Sequence, residues 1–148
     1  MSLPENLKWA FATQTSWLQT IFRILLGAAL LFAGISHLTF NRAEFVAQVP
    51  YWVPLATDSV VVLSGIVEII LGLSLVVLYK YKALVGWAAA TFFVLIFPGN
   101  ISQYMNEVDA FGLDSDTARL VRLFFQPVLI VWALWSTGAW KAFKNRNK

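Results

Sequence analysis

Apolar residues dominate four stretches of the chain, roughly 17–40, 59–79, 82–97 and 120–140. In none of them do polar residues recur often enough to form the solvated stripe that each helix of a soluble bundle presents. Three of the four approach the ~20 residues that carry an α-helix across a ~30 Å hydrocarbon core at 1.5 Å per residue. The stretch at 82–97 is shorter, and spans only if Ile101, Ser102 and Tyr104 prolong it past Pro98 or the bilayer thins locally. The pattern therefore predicts an all-α protein: an integral membrane bundle of four transmembrane helices, forming one domain over residues 1–148.

The intervening segments predict the rest of the architecture. Pro50 and Pro54 flank Tyr51 and Trp52, so 41–58 reads as a rigid, non-helical cap over one end of the bundle. The stretch 98–117, polar and acidic, reads as a second loop at that end. Residues 1–16, with Leu3, Leu7, Trp9 and Phe11 among polar neighbours, are expected along the membrane surface, and no small-x-small site marks them as a cleaved signal. Lys8, Lys80, Lys82, Lys141, Lys144, Arg146 and Lys148 flank one set of helix ends, whereas Arg42, Arg119 and Arg122 flank the other. By the positive-inside rule both termini are cytoplasmic, which suits the inner membrane of a bacterium.

Composition narrows the chemistry. The chain is 59% hydrophobic and 13% charged, where soluble domains carry about 25% charged residues. It has no Cys, which removes disulfides, thiolate nucleophiles and iron–sulfur ligation, and its single His and two Met leave little for metal or haem. The net charge of +3 does not imply nucleic acid, because the basic residues flank apolar runs instead of forming a patch. The lipid bilayer is the expected partner.

Ionisable and amide groups inside apolar helices are the candidate functional residues, because a charge at the bilayer centre costs at least ~2.5–3.5 kcal/mol. These are Arg23, His37, Glu68, Asn100, Arg122 and Gln126. Counting 1.5 Å per residue from the basic end puts Arg23 at ~9 Å, Glu68 at ~16 Å and His37, Arg122 and Gln126 at ~20–30 Å. The expectation is one buried network in which Glu68 pairs with Arg23 or Arg122. Gly27 and Gly34 share a face with Arg23 and His37, and Gly65 and Gly72 share one with Glu68, so these faces should point into the bundle. Structural alternatives stand beside each reading: a plain ion pair for Arg23 and Glu68, a hydrated imidazole for His37, snorkelling for Arg122 and a turn-capping role for Asn100.

At these residues the chain resembles the DoxX-like family of small four-helix bacterial membrane proteins. The matching stretches are Arg23-Ile-Leu-Leu-Gly27, Ala33-Gly-Ile-Ser-His37, Pro50 with Pro54, Ser64-Gly-Ile-Val-Glu68, Phe97-Pro-Gly-Asn100, and Arg122-Leu-Phe-Phe-Gln126 running into Trp132. Gly99 stands where the family motif leads one to expect Ala. The resemblance implies a four-helix transmembrane bundle. It implies several functions, because members are linked to a membrane subunit of a thiosulfate:quinone oxidoreductase, to oxidative-stress complexes and to receptor-assembly chaperones.

Three functions remain open at this point. The first is a quinone-binding or membrane-anchor subunit of a redox complex. A quinone would be the cofactor, none is bound covalently, and a soluble redox partner supplies electrons. His37, Arg122 and Gln126 would then hold the headgroup, Glu68 would relay protons, and the isoprenoid tail would lie near Gly27 and Gly72. The second is a lipid-binding chaperone or scaffold without catalysis. The third is a small proton-coupled transporter, which four helices support only as an oligomer.

Overall fold

A computed structural model describes residues 4–11 and 13–146. Among them the chain is helical, without strands: α1 (Trp17–Leu38), α2 (Arg42–Gln48), α3 (Thr57–Val77), α4 (Lys82–Met105), α5 (Asp116–Ser136) and α6 (Ala139–Lys144), with short 3₁₀ turns at Glu5–Ala10 and Tyr79–Tyr81. Four helices, α1, α3, α4 and α5, are long and apolar enough to cross a membrane. Their outer faces carry exposed Leu25, Phe32, Ile70, Val77, Leu95, Phe124 and Val131. Arg23, His37, Glu68, Arg119 and Gln126 are buried instead. Apolar side chains face outward and polar ones inward, as a multi-pass membrane protein requires.

The bundle consists of two closely packed helix pairs, α1 with α3 and α4 with α5, joined by lesser contacts of α1 with α5 and α3 with α4. Glycine sets the first pair. A Cβ on Gly27 would stand 2.8 Å from the carbonyl oxygen of Gly72, and one on Gly72 would stand 2.7 Å from that of Gly27. A Cβ on Gly34 would stand 2.6 Å from the carbonyl oxygen of Gly65. These two crossings, seven residues apart on each antiparallel helix, bring backbone against backbone. Leu26, Leu30, Leu71 and Leu75 then pack with Val85, Ala89, Phe93 and Ala133 into one core shared by all four long helices.

Helix boundaries follow local chemistry. Ser16 and Gln19 form a reciprocal capping box at the start of α1, at 3.2 and 2.9 Å. The Ser115 side chain accepts from the Ala118 amide at 3.2 Å, so α5 begins at Asp116, ahead of the apolar stretch expected from residue 120. It ends at Ser136, because Gly138 turns into the left-handed region (φ 68°) and α6 follows as a separate helix. The third spanning helix does not stop at residue 97. It continues through Pro98 to Met105, since proline removes only one backbone hydrogen bond.

The segment 41–58 is corrected in part: it is not wholly non-helical, because α2 fills 42–48 before the irregular stretch around Pro50 and Pro54. Arg42 clasps Asp58, with Nε 2.7 Å from Oδ1, and this hydrogen bond raises the Arg42 pKa further above its ordinary value. Residues 1–3 of the expected surface segment, and Lys148 of the basic tail, lie outside the described residues. Within that surface segment, Trp9 packs edge-on against Phe143 at 5.9 Å, and Phe11 against Tyr81 at 4.9 Å.

The α1–α3 contact predicts a graded response to added bulk. Gly34→Ala should lower the unfolding free energy in detergent by about 1–3 kcal/mol, the usual cost of overpacking. Gly99→Ala should leave it nearly unchanged, because there a new Cβ meets only the Gln48 carbonyl oxygen at 3.5 Å. Thermal unfolding of both variants checks the pair.

Candidate functional site

The polar groups buried in the bundle occupy two ends, and the single network expected from depth alone is not formed. At the basic end, the Arg23 guanidinium donates to the carbonyl oxygens of Leu75 and of Val76, the latter at 3.5 Å. Those carbonyls belong to the last turn of α3, where no further helical amide reaches them. Arg23 therefore caps a helix C-terminus and makes no contact with Glu68, correcting the expected pairing. Nearby, Lys82 Nζ donates to Thr15 Oγ1 at 2.8 Å, the Trp132 indole donates to the Phe22 carbonyl at 2.9 Å, and Gln19 donates to the Trp135 carbonyl at 2.7 Å.

At the opposite end lies a cavity of about 330 Å³, within the range of small-molecule sites. Five elements wall it: the last turn of α1, α2 with the irregular segment after it, the first half of α3, the middle of α4 and the first half of α5. Most of its lining is apolar, from Val49, Val53, Val60, Leu95 and Ile96 among others. Four of the six residues singled out from sequence, His37, Glu68, Asn100 and Arg122, line it together.

Glu68 pairs with neither arginine. Its Oε2 lies 2.8 Å from His37 Nδ1, a consequence of the glycine crossing, since a Cβ on Gly65 would stand 2.8 Å from the Cβ of His37. The same Nδ1 lies 2.9 Å from the Ala33 carbonyl oxygen, so the imidazole nitrogen stands between that carbonyl and the buried Glu68 Oε2. The imidazole also stacks on Phe45, with centroids 3.3 Å apart and planes 18° from parallel. Arg122 donates to Gln48 Oε1 at 3.3 Å and lies over the Phe111 ring at 5.4 Å, while its Nε is buried without a partner. Among the described residues no ion pair joins Arg122 to Glu68.

Gln126 does not line the cavity. It donates to the Phe93 carbonyl at 2.7 Å and accepts from Asn100 Nδ2 at 2.9 Å, so it positions Asn100. The isoprenoid route expected near Gly27 and Gly72 is closed, because the backbones meet there.

Sequence reasoning missed Phe45 and Gln48. Both sit on α2, whose first turns read Arg-Ala-Glu-Phe-Val-Ala-Gln, and their i, i+3 spacing on a short helix was the available signal. Gln48 also accepts the cap into the bundle by donating to Gln103 Oε1 at 2.8 Å, and Glu44 accepts from the Phe111 amide at 2.8 Å. Arg119 holds the acidic loop, donating to Asp109 and Asp116, each at 2.7 Å. As a set these residues offer an imidazole–carboxyl pair able to exchange a proton, a guanidinium with a spare N–H, and a fixed amide, all inside an apolar wall.

The sequence model of a family described as a domain of unknown function, DUF8561, matches residues 26–137, and the chain belongs to that family. The matched region holds His37, Glu68, Asn100, Arg122 and Gln126 and begins after Arg23. No curated protein and no solved structure matches the chain.

Replacing Gln126 separates support from site. Gln126→Leu leaves the Asn100 amide and the Phe93 carbonyl without their partner, so unfolding free energy should fall by about 1–3 kcal/mol. Chemical unfolding in detergent measures this; stability equal to that of the parent would refute the positioning role.

Proposed function

We propose, from the resemblance of its motifs and the geometry around Glu68, that this is a DoxX-like multi-pass protein of the bacterial inner membrane that binds a quinone headgroup. One observation carries the reading: His37, Glu68, Asn100 and Arg122 converge from four helices on one otherwise apolar cavity. A few convergent polar groups in an apolar wall suit a ligand with polar oxygens on a flat apolar ring. The donor set suits such a ring: Arg122 and Asn100 would hold its oxygens, and Val49, Val53, Leu95 and Ile96 would enclose its apolar edge.

A bound quinone supplies two-electron, two-proton carrier chemistry. The chain supplies the rest of the site. His37 and Glu68 would hold and exchange the proton, the Phe45 ring fixes the imidazole plane, and Gln126 keeps Asn100 in register. With no Cys in the chain, electrons would come from a soluble redox partner, and the protein would serve as the quinone-binding or anchoring subunit of a complex.

The orientation places both termini in the cytoplasm and the cavity toward the outer face. The basic residues Lys80, Lys82, Lys141, Lys144 and Arg146 support it, because they gather at the ends of α3, α4, α5 and α6 away from the cavity.

Two experiments test these readings. Organic extraction of protein purified in mild detergent, followed by ultraviolet spectra and mass spectrometry, should yield quinone near one equivalent, and His37→Ala should lose it. Phospholipid alone in both extracts would favour a lipid-binding scaffold instead. Because the chain has no native Cys, single cysteines report topology directly. A membrane-impermeant maleimide should label Asp114→Cys in intact cells and Asn145→Cys only after lysis.

A further inference from the structure

A cavity in a membrane bundle opens either to water at its end or to lipid through its side, and its walls distinguish the two. The end is covered by α2. Gln48 ties this helix to α4 by donating to Gln103 at 2.8 Å, and Glu44 ties it to the acidic loop by accepting from the Phe111 amide at 2.8 Å. Phe45 stacks on the His37 imidazole and meets Phe111 edge-on, with centroids 4.6 Å apart. The side is less closed. Glycine contacts hold α1 against α3, and α4 packs closely on α5, whereas α3 and α4 pack only loosely together. These two loosely joined helices supply much of the lining, with Val60, Ser64 and Glu68 on one and Leu95, Ile96 and Asn100 on the other.

Lining residues that are also exposed mark the mouth. Leu95 is 71% exposed and Trp52 59%, while His37 and Glu68, at 7% and 5%, lie farthest in. Counting 1.5 Å per residue from the basic ends of α4 and α3 puts Leu95 and Ser64 both at ~20 Å, within a hydrocarbon core ~30 Å thick. Tyr51 and Trp52, exposed just ahead of α3, suit the interface level where aromatic rings gather. An exposed leucine below that level meets acyl chains. We propose that the cavity opens sideways into the half of the bilayer farther from the basic end, through a mouth between α3 and α4 bounded by Leu95 and Trp52. Its ligand is then lipid-soluble, with a polar head inside and an apolar chain left among the lipids. This rests on the quinone reading for the head and adds the route and the chain. The chain gains no affinity from the mouth, because it stays among acyl chains whether the head is bound or free. What the mouth supplies is room for it.

Two measurements on the full-length protein in nanodiscs test this. A nitroxide on Ser64→Cys, a half-buried lining position in a chain without native Cys, should be relaxed more strongly by lipid-soluble oxygen than by a water-soluble nickel chelate. Stronger relaxation by nickel would show a mouth to water, and relaxation by neither would show a sealed cavity; both results overturn the proposal whatever the head is. Decylubiquinone and its tail-less ring, dimethoxy-methyl-benzoquinone, should bind with affinities equal within about threefold when each is counted by its concentration in the bilayer. Leu95→Trp narrows the mouth and should weaken decylubiquinone at least about tenfold more than the tail-less ring. Phe124→Trp, at an exposed position outside the cavity lining, should leave both unchanged. Binding of the tail-less ring alone would overturn the side route and leave the quinone reading intact. Binding of neither compound would overturn the quinone reading, and the nitroxide would still decide the mouth. An equal loss of both ligands in Leu95→Trp would overturn the placement of Leu95 at the mouth.

Discussion

Everything at the functional end depends on two places where α1 and α3 touch backbone to backbone. In a bilayer the lipid tails are as apolar as leucine, so helices gain little by hiding apolar side chains from them; close approach and dispersion must hold the pair together. Gly27 against Gly72 and Gly34 against Gly65 supply that approach, and a Cβ on Gly27, Gly34 or Gly72 would stand 2.6–2.8 Å from a facing carbonyl oxygen. The register this imposes is rigid. His37, three residues past Gly34, lies toward the cavity end, and Glu68, three past Gly65 on the antiparallel helix, lies toward the basic end, so the two side chains reach along the helix pair to meet at 2.8 Å. The approach of the backbones permits this, since a Cβ on Gly65 would stand 2.8 Å from that of His37.

The same register disposes of Arg23. Its position on α1 faces the end of α3, where the last-turn carbonyls of Leu75 and Val76 have no amide to meet. In hydrocarbon such orphan groups cost several kcal/mol each, and a guanidinium can satisfy more than one. Arg23 thus completes a helix terminus inside the bundle, which the fold requires whatever the protein binds. Arg23 and Arg122 therefore differ in use. One is consumed by backbone, and the other, Arg122, shares a single Gln48 contact and an aromatic face.

The four spanning helices were legible because runs of apolar residues of that length have few other fates. The candidate residues were legible for the complementary reason, that polar groups in such runs are rare. What the sequence did not disclose was rotation. Depth along the helices suggested that Glu68 could reach Arg23 or Arg122, yet depth does not say which way a residue points, and His37 at the crossing took the place beside it. Boundaries failed where polar residues take part in helices. Asp116 to Arg119 open α5 behind a Ser115 cap, and residues 98–105 extend α4 past a proline that the helix tolerates. The short α2 was hidden by Pro50 and Pro54, whose breaking effect acts after it and not within it. With α2 unseen, Phe45 and Gln48 could not be placed against His37 and Arg122.

The two ends of the bundle differ in what their polar groups meet. At the basic end Arg23, Gln19 and the Trp132 indole donate to backbone carbonyls of a neighbouring helix, and Lys82 donates to Thr15. At the cavity end the amides hold one another instead: Gln48 on α2 donates to Gln103 on α4, and Asn100 on α4 donates to Gln126 on α5. The close approach of α1 and α3 sets the His37 imidazole beside Glu68 on the same wall. Polar groups at the basic end therefore serve to close the fold, whereas those at the other end converge on a space that the fold leaves open.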